Sequence, residues 1–287
     1  MRYRFLRFPD GKAKAVTLSY DDGYKDDLHF SDTISKYGMK CTFNLNCPGI
    51  QRYNLSDEEV RKYIIDRGHE IAVHGAVHRA NGVLKPIQGI RDVLDCRLYL
   101  EKRFNMIIRG MAYPDSGIKY FANGVTYDNV KAYLSALDIS YARSYAKDEE
   151  KTFLLPNDWH NWETTIHHRD PEIMEYVETF ANLDWANEPF GSRNCPKLFF
   201  MWGHTCEFTT DNNWETLYSI CEKLGNRDDI WYATNIEIYD YVNAYNSLIF
   251  SADESIVFNP TIYDVWFIGD GKIYNVCAGQ TLEINKK

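Results

Sequence analysis

Strand and helix signals alternate along most of this chain, and that alternation restricts the available folds more than any other feature. "KAVTLSY" (14–20) is rich in β-formers, and a helically spaced run over 26–38 follows it and stops at Gly38. "CTFNLN" (41–46) reads as a second strand. Residues 56–68 read as a helix opened by a capping box, Ser56 to Glu59, and closed at Gly68. "HEIAVHG" (69–75) is a third strand, with a long helix after it near 88–104. "IIRGMAYP" (107–114) and "ISYARS" (139–144) are further strands, with a helix between them. "KLFFMWGH" (197–204), a helix near 213–224, "IWYAT" (230–234) and a helix near 235–246 complete the series. This order calls for an α/β fold around a parallel sheet, open or closed as a barrel.

The pattern changes near Ser247. "SIVFN", "DVWFIGDGKIYNV" and "TLEI" read as short antiparallel strands, with Asp270–Gly271 as a tight hairpin turn. The chain therefore divides into residues 1–246, an α/β domain of the open-sheet or barrel kind, and residues 247–287, a small C-terminal β-strand appendage. Its 287 residues suffice for one large domain with such an addition.

A net charge of −9 argues against nucleic acid as a partner, because that binding rests on clustered Lys and Arg. No apolar run approaches the ~20 residues that span a bilayer, so no membrane partner is expected. The N-terminal stretch has basic residues without an apolar segment behind them, so no secretory signal is read there. Seven cysteines form an odd set without a C-x-x-C pair, which suggests free thiols in the cytoplasm. The 21 Tyr and 7 Trp offer flat apolar faces with a polar edge, suited to sugar rings or to filling a core.

In parallel α/β folds the loops at the C-terminal strand ends build the site. Asp21–Asp22, His74, Tyr113–Pro114 and His204 all fall at such ends. Consecutive strand residues point to opposite faces, so the two aspartates share a site only where the strand breaks, and Gly23 permits that break. A solvated turn is the plainer reading of "DDG". Alternatively, one carboxylate would bind a metal and the other would act as general base toward water. His74 and His78, four apart, would lie on one face of a helix if the chain turns helical there. Two His and one carboxylate can hold a catalytic metal, although either His could equally be structural. His204 could be a general acid or a structural His. Asp158 and Trp159 could orient or wall it, and His160, His167 and His168 stay open as ligands.

Taken in order, "LSYDDG", "HGAVH", "RGMAYP", "NDWHNW" and "FFMWGH" resemble the polysaccharide deacetylase family, carbohydrate esterase family four, over roughly residues 14–235. The resemblance implies a distorted (β/α) barrel and one divalent metal ion, commonly zinc, held by Asp22, His74 and His78. It implies Asp21 as the catalytic base and His204 as the acid that protonates a leaving amine. Tyr113, Pro114, Asp115, Trp159 and Trp202 would line the substrate site, with a backbone N–H near Asp115 facing the oxyanion. Two departures are Tyr20 for the family's Phe and Gly75 for its Ser or Thr. With Pro114 on the family's R-x-P-Y motif, Ala112 stands at the arginine position, and Arg109 is the nearby replacement. Asp158 is the candidate to orient His204. The expected activity is metal-dependent amide hydrolysis, most simply N-deacetylation of an acetylated amino sugar or oligosaccharide. A non-sugar amide and a non-catalytic carbohydrate-binding role are the alternatives. A two-carboxylate glycosidase would need its acid and base ~5–10 Å apart, which adjacent aspartates fit poorly.

Overall fold

The computed structural model describes residues 3–47, 54–145, 152–183 and 194–284. Nine strands form one sheet in which every pairing is parallel. Its first strand, Lys14–Asp21, is buried along its whole length. Cys41–Leu45, Glu70–Val73, Gly110–Ala112, Tyr141–Ser144 and Trp162–Glu163 follow on one side of it. Lys197–Gly203 and then Ile166–His167 lie on the other. Ile230–Tyr232 pairs with the beginning of the first strand, Lys14–Val16.

The two edge strands of the main run, Trp162–Glu163 and Ile166–His167, are separated in sequence only by Thr164 and Thr165. The curled sheet thereby nearly meets itself as a distorted barrel. Thr165 bridges the seam: its N–H donates to Phe200 O at 2.8 Å, and its hydroxyl oxygen accepts from Phe200 N at 3.0 Å. These two short strands carry no periodic signal. The helix Ile173–Ala181 is an addition to the expected elements, although its buried Ile173, Val177, Phe180 and Ala181 stand at helical spacing.

Alternation along the strands separates two environments. Val16, Leu18 and Tyr20 join Phe43, Phe199 and Met201 in the core beneath the surrounding helices. Ala15, Thr17, Ser19 and Asp21 take the opposite face, toward the barrel interior. At the N-terminal strand ends that interior is apolar, with Ala15, Tyr141, Trp162, Leu198 and Phe200 packed on Ile238, Tyr241 and Val242 of the helix Asn235–Asn246.

Above this floor the interior is polar and closely paired. Thr17 donates its hydroxyl to Asn235 Oδ1 at 2.8 Å. Thr42, Tyr141 and the Ile236 N–H donate to the Glu70 carboxyl at 2.8, 2.7 and 2.9 Å. Gly110 is required beside them, because a Cβ there would lie 2.2 Å from Tyr141 Oη and 2.6 Å from Glu70 Oε1. Among the described residues no helix is long and apolar enough to cross a membrane.

The capping box forms as Ser56 and Glu59 exchange bonds, but the helix Asp57–Val60 widens into a π turn over Arg61–Ile65. Beyond the barrel, Val265–Gly269 and Lys272–Val276 form a hairpin about Asp270 and Gly271, both at positive φ as a type I′ turn requires. The strand Arg4–Arg7 pairs with the outer side of that hairpin. Ile249–Phe250, Ile256–Phe258 and Thr281–Glu283 make a second small antiparallel sheet.

Burial pushes the Glu70 carboxyl up to about 7, and its three hydrogen bonds offset only part of that cost. A carboxyl held protonated in the fold contributes stability below its unfolded pKa and loses it as pH rises through the folded value. Glu70→Gln, which mimics the protonated group, is expected to leave the melting temperature unchanged near pH 4. At pH 8 it should stabilise the fold by on the order of 3 kcal/mol. Parallel melting curves for variant and parent check this; a difference that does not grow between pH 4 and pH 8 would show that the Glu70 pKa is not raised in the fold.

Candidate metal and acid–base site

The first strand ends by breaking into a left-handed step, Asp22 at φ 78° and Gly23 at φ 71°. The break turns two consecutive carboxylates toward one place while each keeps its own partners. Asp21, 2% exposed, accepts from Asn44 Nδ2 at 2.8 Å and from an Arg143 guanidinium nitrogen at 2.6 Å. Asp22, fully buried, accepts from Asn46 Nδ2 at 2.8 Å, and its own N–H donates to Asn44 O at 3.0 Å.

His74 and His78 reach Asp22 without a helix. Residues 74–85 are irregular, and Gly75 at φ 80° and His78 at φ 51° fold the segment back. A Cβ on Gly75 would lie 2.6 Å from Asp92 Oδ2. His74 Nδ1 is 2.9 Å from Ala112 O, an acceptor only, so this nitrogen carries the proton. The other ring nitrogen, Nε2, is then a lone pair. It faces Asp21 Oδ2 at 3.8 Å and Asp22 Oδ1 at 3.7 Å. His78 Nε2 lies 3.3 Å from the same Asp22 oxygen.

Ligand atoms of Asp22, His74 and His78 all lie within 4.8 Å of one another. The His74 lone pair directed at carboxylate oxygens is repulsive by itself, and a cation between them turns the repulsion into ligation. The donor set of two imidazoles and one carboxylate, with Ala112 fixing the tautomer, fits a divalent metal. Burial works against charge on both groups. It lowers the His74 pKa, whereas at Asp22 it is outweighed by His78, His74 and His204, which hold that carboxyl far below its usual value.

A second group, His167, His204 and Glu207, is equally close, but its protons are arranged differently. His167 Nδ1 accepts the Arg169 N–H at 3.0 Å, so its protonated nitrogen is Nε2, 3.4 Å from Glu207. No lone pair is left on that side for a metal. Glu207 instead collects donors, Arg169 at 2.9 Å and the His204 N–H at 3.0 Å, with His168 Nε2 3.4 Å away. Burial opposes its charge, but His204 and His167 bring its pKa down to about 2. His204 sets Nδ1 3.6 Å from Glu207 and Nε2 3.7 Å from Asp22 Oδ2. Burial tends to deprotonate His204, and Glu207 with Asp21 outweighs it, raising the pKa.

Of the residues expected from sequence, Asp21, Asp22, His74, His78, His204 and Trp202 come together. Trp202 lies over the Arg143 guanidinium at 4.5 Å and packs on Tyr145 and His167. Pro114 and Asp115 follow the strand Gly110–Ala112 at its C-terminal end, Asp115 at φ 54°. Tyr113 is buried and gives its hydroxyl to His160 O at 2.7 Å.

Three expectations are corrected. Arg109 does not reach Asp21: it precedes the strand Gly110–Ala112, at the end away from the site, and pairs with Asp240 at 2.6 and 3.0 Å. The arginine at Asp21 is Arg143, from the next strand. Asp158 does not orient His204; it caps the short helix Trp159–Asn161 and binds Tyr127 and Lys131, and Glu207 takes that position. Trp159 packs on Trp162 and Tyr239 in the apolar floor rather than in the site. Sequence reasoning also missed Asn44 and Asn46. The available signals were polar residues inside apolar strands, "TFNLN" and "YARS", and a Glu three residues after His204.

The polysaccharide deacetylase family model matches residues 9–137. Among solved structures, a putative polysaccharide deacetylase from Mycobacterium smegmatis aligns at TM-score 0.57 and 16% identity, over 86% of this chain and 96% of that one. The chitin deacetylase of the fungal pathogen Colletotrichum lindemuthianum aligns at TM-score 0.51 and 16% identity, over 79% and 88%. A mutant of a Bacillus anthracis CE4 family pseudoenzyme, with restored enzymatic activity, aligns at 0.50 and 16%, over 82% and 70%. No curated protein matches the chain. Residues 9–137 thus match the polysaccharide deacetylase family model, and the chain shares the fold of solved polysaccharide deacetylases.

Proposed function

We propose that the protein is a metal-dependent hydrolase of a carbon–nitrogen bond, acting as an N-deacetylase on an acetylated amino sugar or oligosaccharide. The observation that carries this reading is the proton-free nitrogen of His74, which meets the Asp22 and Asp21 carboxylates opposite His204. Two imidazoles and a carboxylate with open positions suit zinc. A zinc ion held by Asp22, His74 and His78 would polarise the scissile carbonyl and lower the pKa of water.

The remaining chemistry falls to side chains. Asp21 takes the proton of the attacking water, its two oxygens aimed by Asn44 and Arg143. His204, backed by Glu207 on its Nδ1 side, gives the Nε2 proton to the departing amine. The backbone N–H of Asp115 serves the oxyanion. Trp202, Tyr145 and Tyr24 supply aromatic surface next to His204 and Arg143, consistent with a sugar ring. CE4 pseudoenzymes share this fold, so the reading rests on these side chains, not on the barrel. All seven cysteines are free thiols, in keeping with work in the cytoplasm.

The purified protein should hold about one divalent ion per chain and release acetate from N-acetylated oligosaccharides, an activity that chelator abolishes and zinc restores. His74→Ala should lose ion and turnover together, while Asp21→Asn should keep the ion and lose ~10²–10⁴-fold in kcat. Full turnover after the ion is stripped would sink the proposal.

The arginine assignment is separable. Arg143→Gln should lower kcat at least ~10-fold with metal content unchanged, because the base loses its charged partner, whereas Arg109→Gln should stay within about 2-fold. Equal losses in both variants would contradict it.

Glu207→Gln addresses the acid. Amide hydrolysis should fall ~10²-fold or more, while hydrolysis of an aryl acetate, whose leaving group departs without protonation, should change only a few-fold. Equal loss on both substrates would assign Glu207 a purely structural role.

A further inference from the structure

A second cleft lies at the other end of the barrel. It has a volume of about 410 Å³ and is bounded by Trp231, Tyr241, Trp266, Tyr263, Glu237 and Asp264. Trp231 pairs with Ala15 near the start of the first barrel strand, whereas Asp21 closes the same strand roughly 20 Å further on. The cleft is therefore separate from the metal and acid–base site.

Its walls are held in place before any ligand arrives. Tyr241 donates its hydroxyl to Arg7 O at 2.8 Å and accepts the Trp266 N–H at 3.0 Å. The loop carrying Tyr263 and Asp264 is anchored by Asn259, which donates to Tyr263 O and Val276 O at 2.7 and 2.8 Å and accepts from Thr261. Tyr263 reaches Asp240 at 3.4 Å, so the Arg109–Asp240 pair braces this cleft instead of the catalytic base. The loop nonetheless exposes Ile262 (86%) and Tyr263 (38%), and a rigid support presenting apolar side chains to water is what a contact surface needs.

The lining chemistry narrows the occupant. Four large aromatic side chains, Trp231, Tyr241, Tyr263 and Trp266, offer faces for the C–H surface of a sugar ring. The charged lining groups are both carboxylates, so phosphorylated and acidic ligands are repelled. Glu237 is committed to Lys40 and to the cap at Thr234. Asp264 is exposed and gives one oxygen to the Ala278 N–H at 2.8 Å, leaving the other for a ligand. An ammonium beside Asp264 and over an indole face would gain from the ion pair and from the cation–π attraction.

We propose that this cleft binds a protonated amino sugar, the ring that N-deacetylation produces, and so anchors partly deacetylated chains away from the catalytic centre. The choice of amino sugar rests on the deacetylase reading above, and the existence of the cleft does not. Calorimetric titration with a glucosamine tetramer at pH 6, with the fully N-acetylated tetramer as control, tests it.

Saturable binding of the glucosamine tetramer is expected. It should weaken at least ~10-fold in Asp264→Asn and in Trp266→Ala, with acetate release from a monosaccharide substrate unchanged. Should Trp266→Ala fail to fold, Tyr263→Ala at its exposed position gives the same reading. No binding, equal affinity in parent and variants, or full competition by the N-acetylated tetramer in the Asp264→Asn-sensitive mode would each overturn the proposal. None of these outcomes bears on acetate release, and loss of acetate release would not remove the binding.

Discussion

The ion pair between Asp21 and Arg143 governs the arrangement of the site. Its side chains are 2% and 1% exposed, and it spans the barrel from the first strand to Tyr141–Ser144. Two of the Arg143 nitrogens are buried without a hydrogen-bond partner, so the guanidinium depends on one carboxylate and on the face of Trp202. Removing either member of such a pair costs about 3–5 kcal/mol, because the other charge is left buried and uncompensated. Asp22 beside it faces the imidazoles of His74, His78 and His204. Adjacent carboxylates are tolerated because they are compensated from opposite sides.

Much of the fold was legible because strands buried on both faces leave continuous apolar runs, as in 14–20 and 197–203, and amphipathic helices leave periodic ones. The seam strands were invisible since two residues carry no period. Asp21, Asp22, His74, His78 and His204 were legible because they stand where apolar strands end. Arg109 misled for a related reason: proximity in sequence to the third motif does not say which end of a three-residue strand a side chain occupies. Arg143 lies in the next strand, and only lateral pairing, Ala112 beside Arg143, brings it to Asp21. Asp158 misled because an aspartate before an aromatic is equally a helix cap.

The two candidate metal groups show that proximity of ligand atoms is a weaker criterion than the placement of protons. Each places His nitrogens and a carboxylate within the same span. A carbonyl acceptor on His74 Nδ1 and an amide donor on His167 Nδ1 reverse the tautomers. One group is thereby left with a lone pair facing anions, and the other with hydrogens facing an anion. The backbone, through Ala112 O and Arg169 N, distinguishes a cation site from an anion clamp.

The seam of the barrel sets a further condition. Trp162 registers with Arg143, and His167 registers with Trp202. One short extended run thus touches the partner of the base at its start and the surroundings of the acid at its end. It acts as a ruler between the two halves of the proton-transfer machinery. Loops elsewhere around the barrel can lengthen without altering that spacing, but a single inserted residue between Trp162 and His167 would shift one half against the other. The least regular part of the sheet is therefore the part whose length is least free to drift.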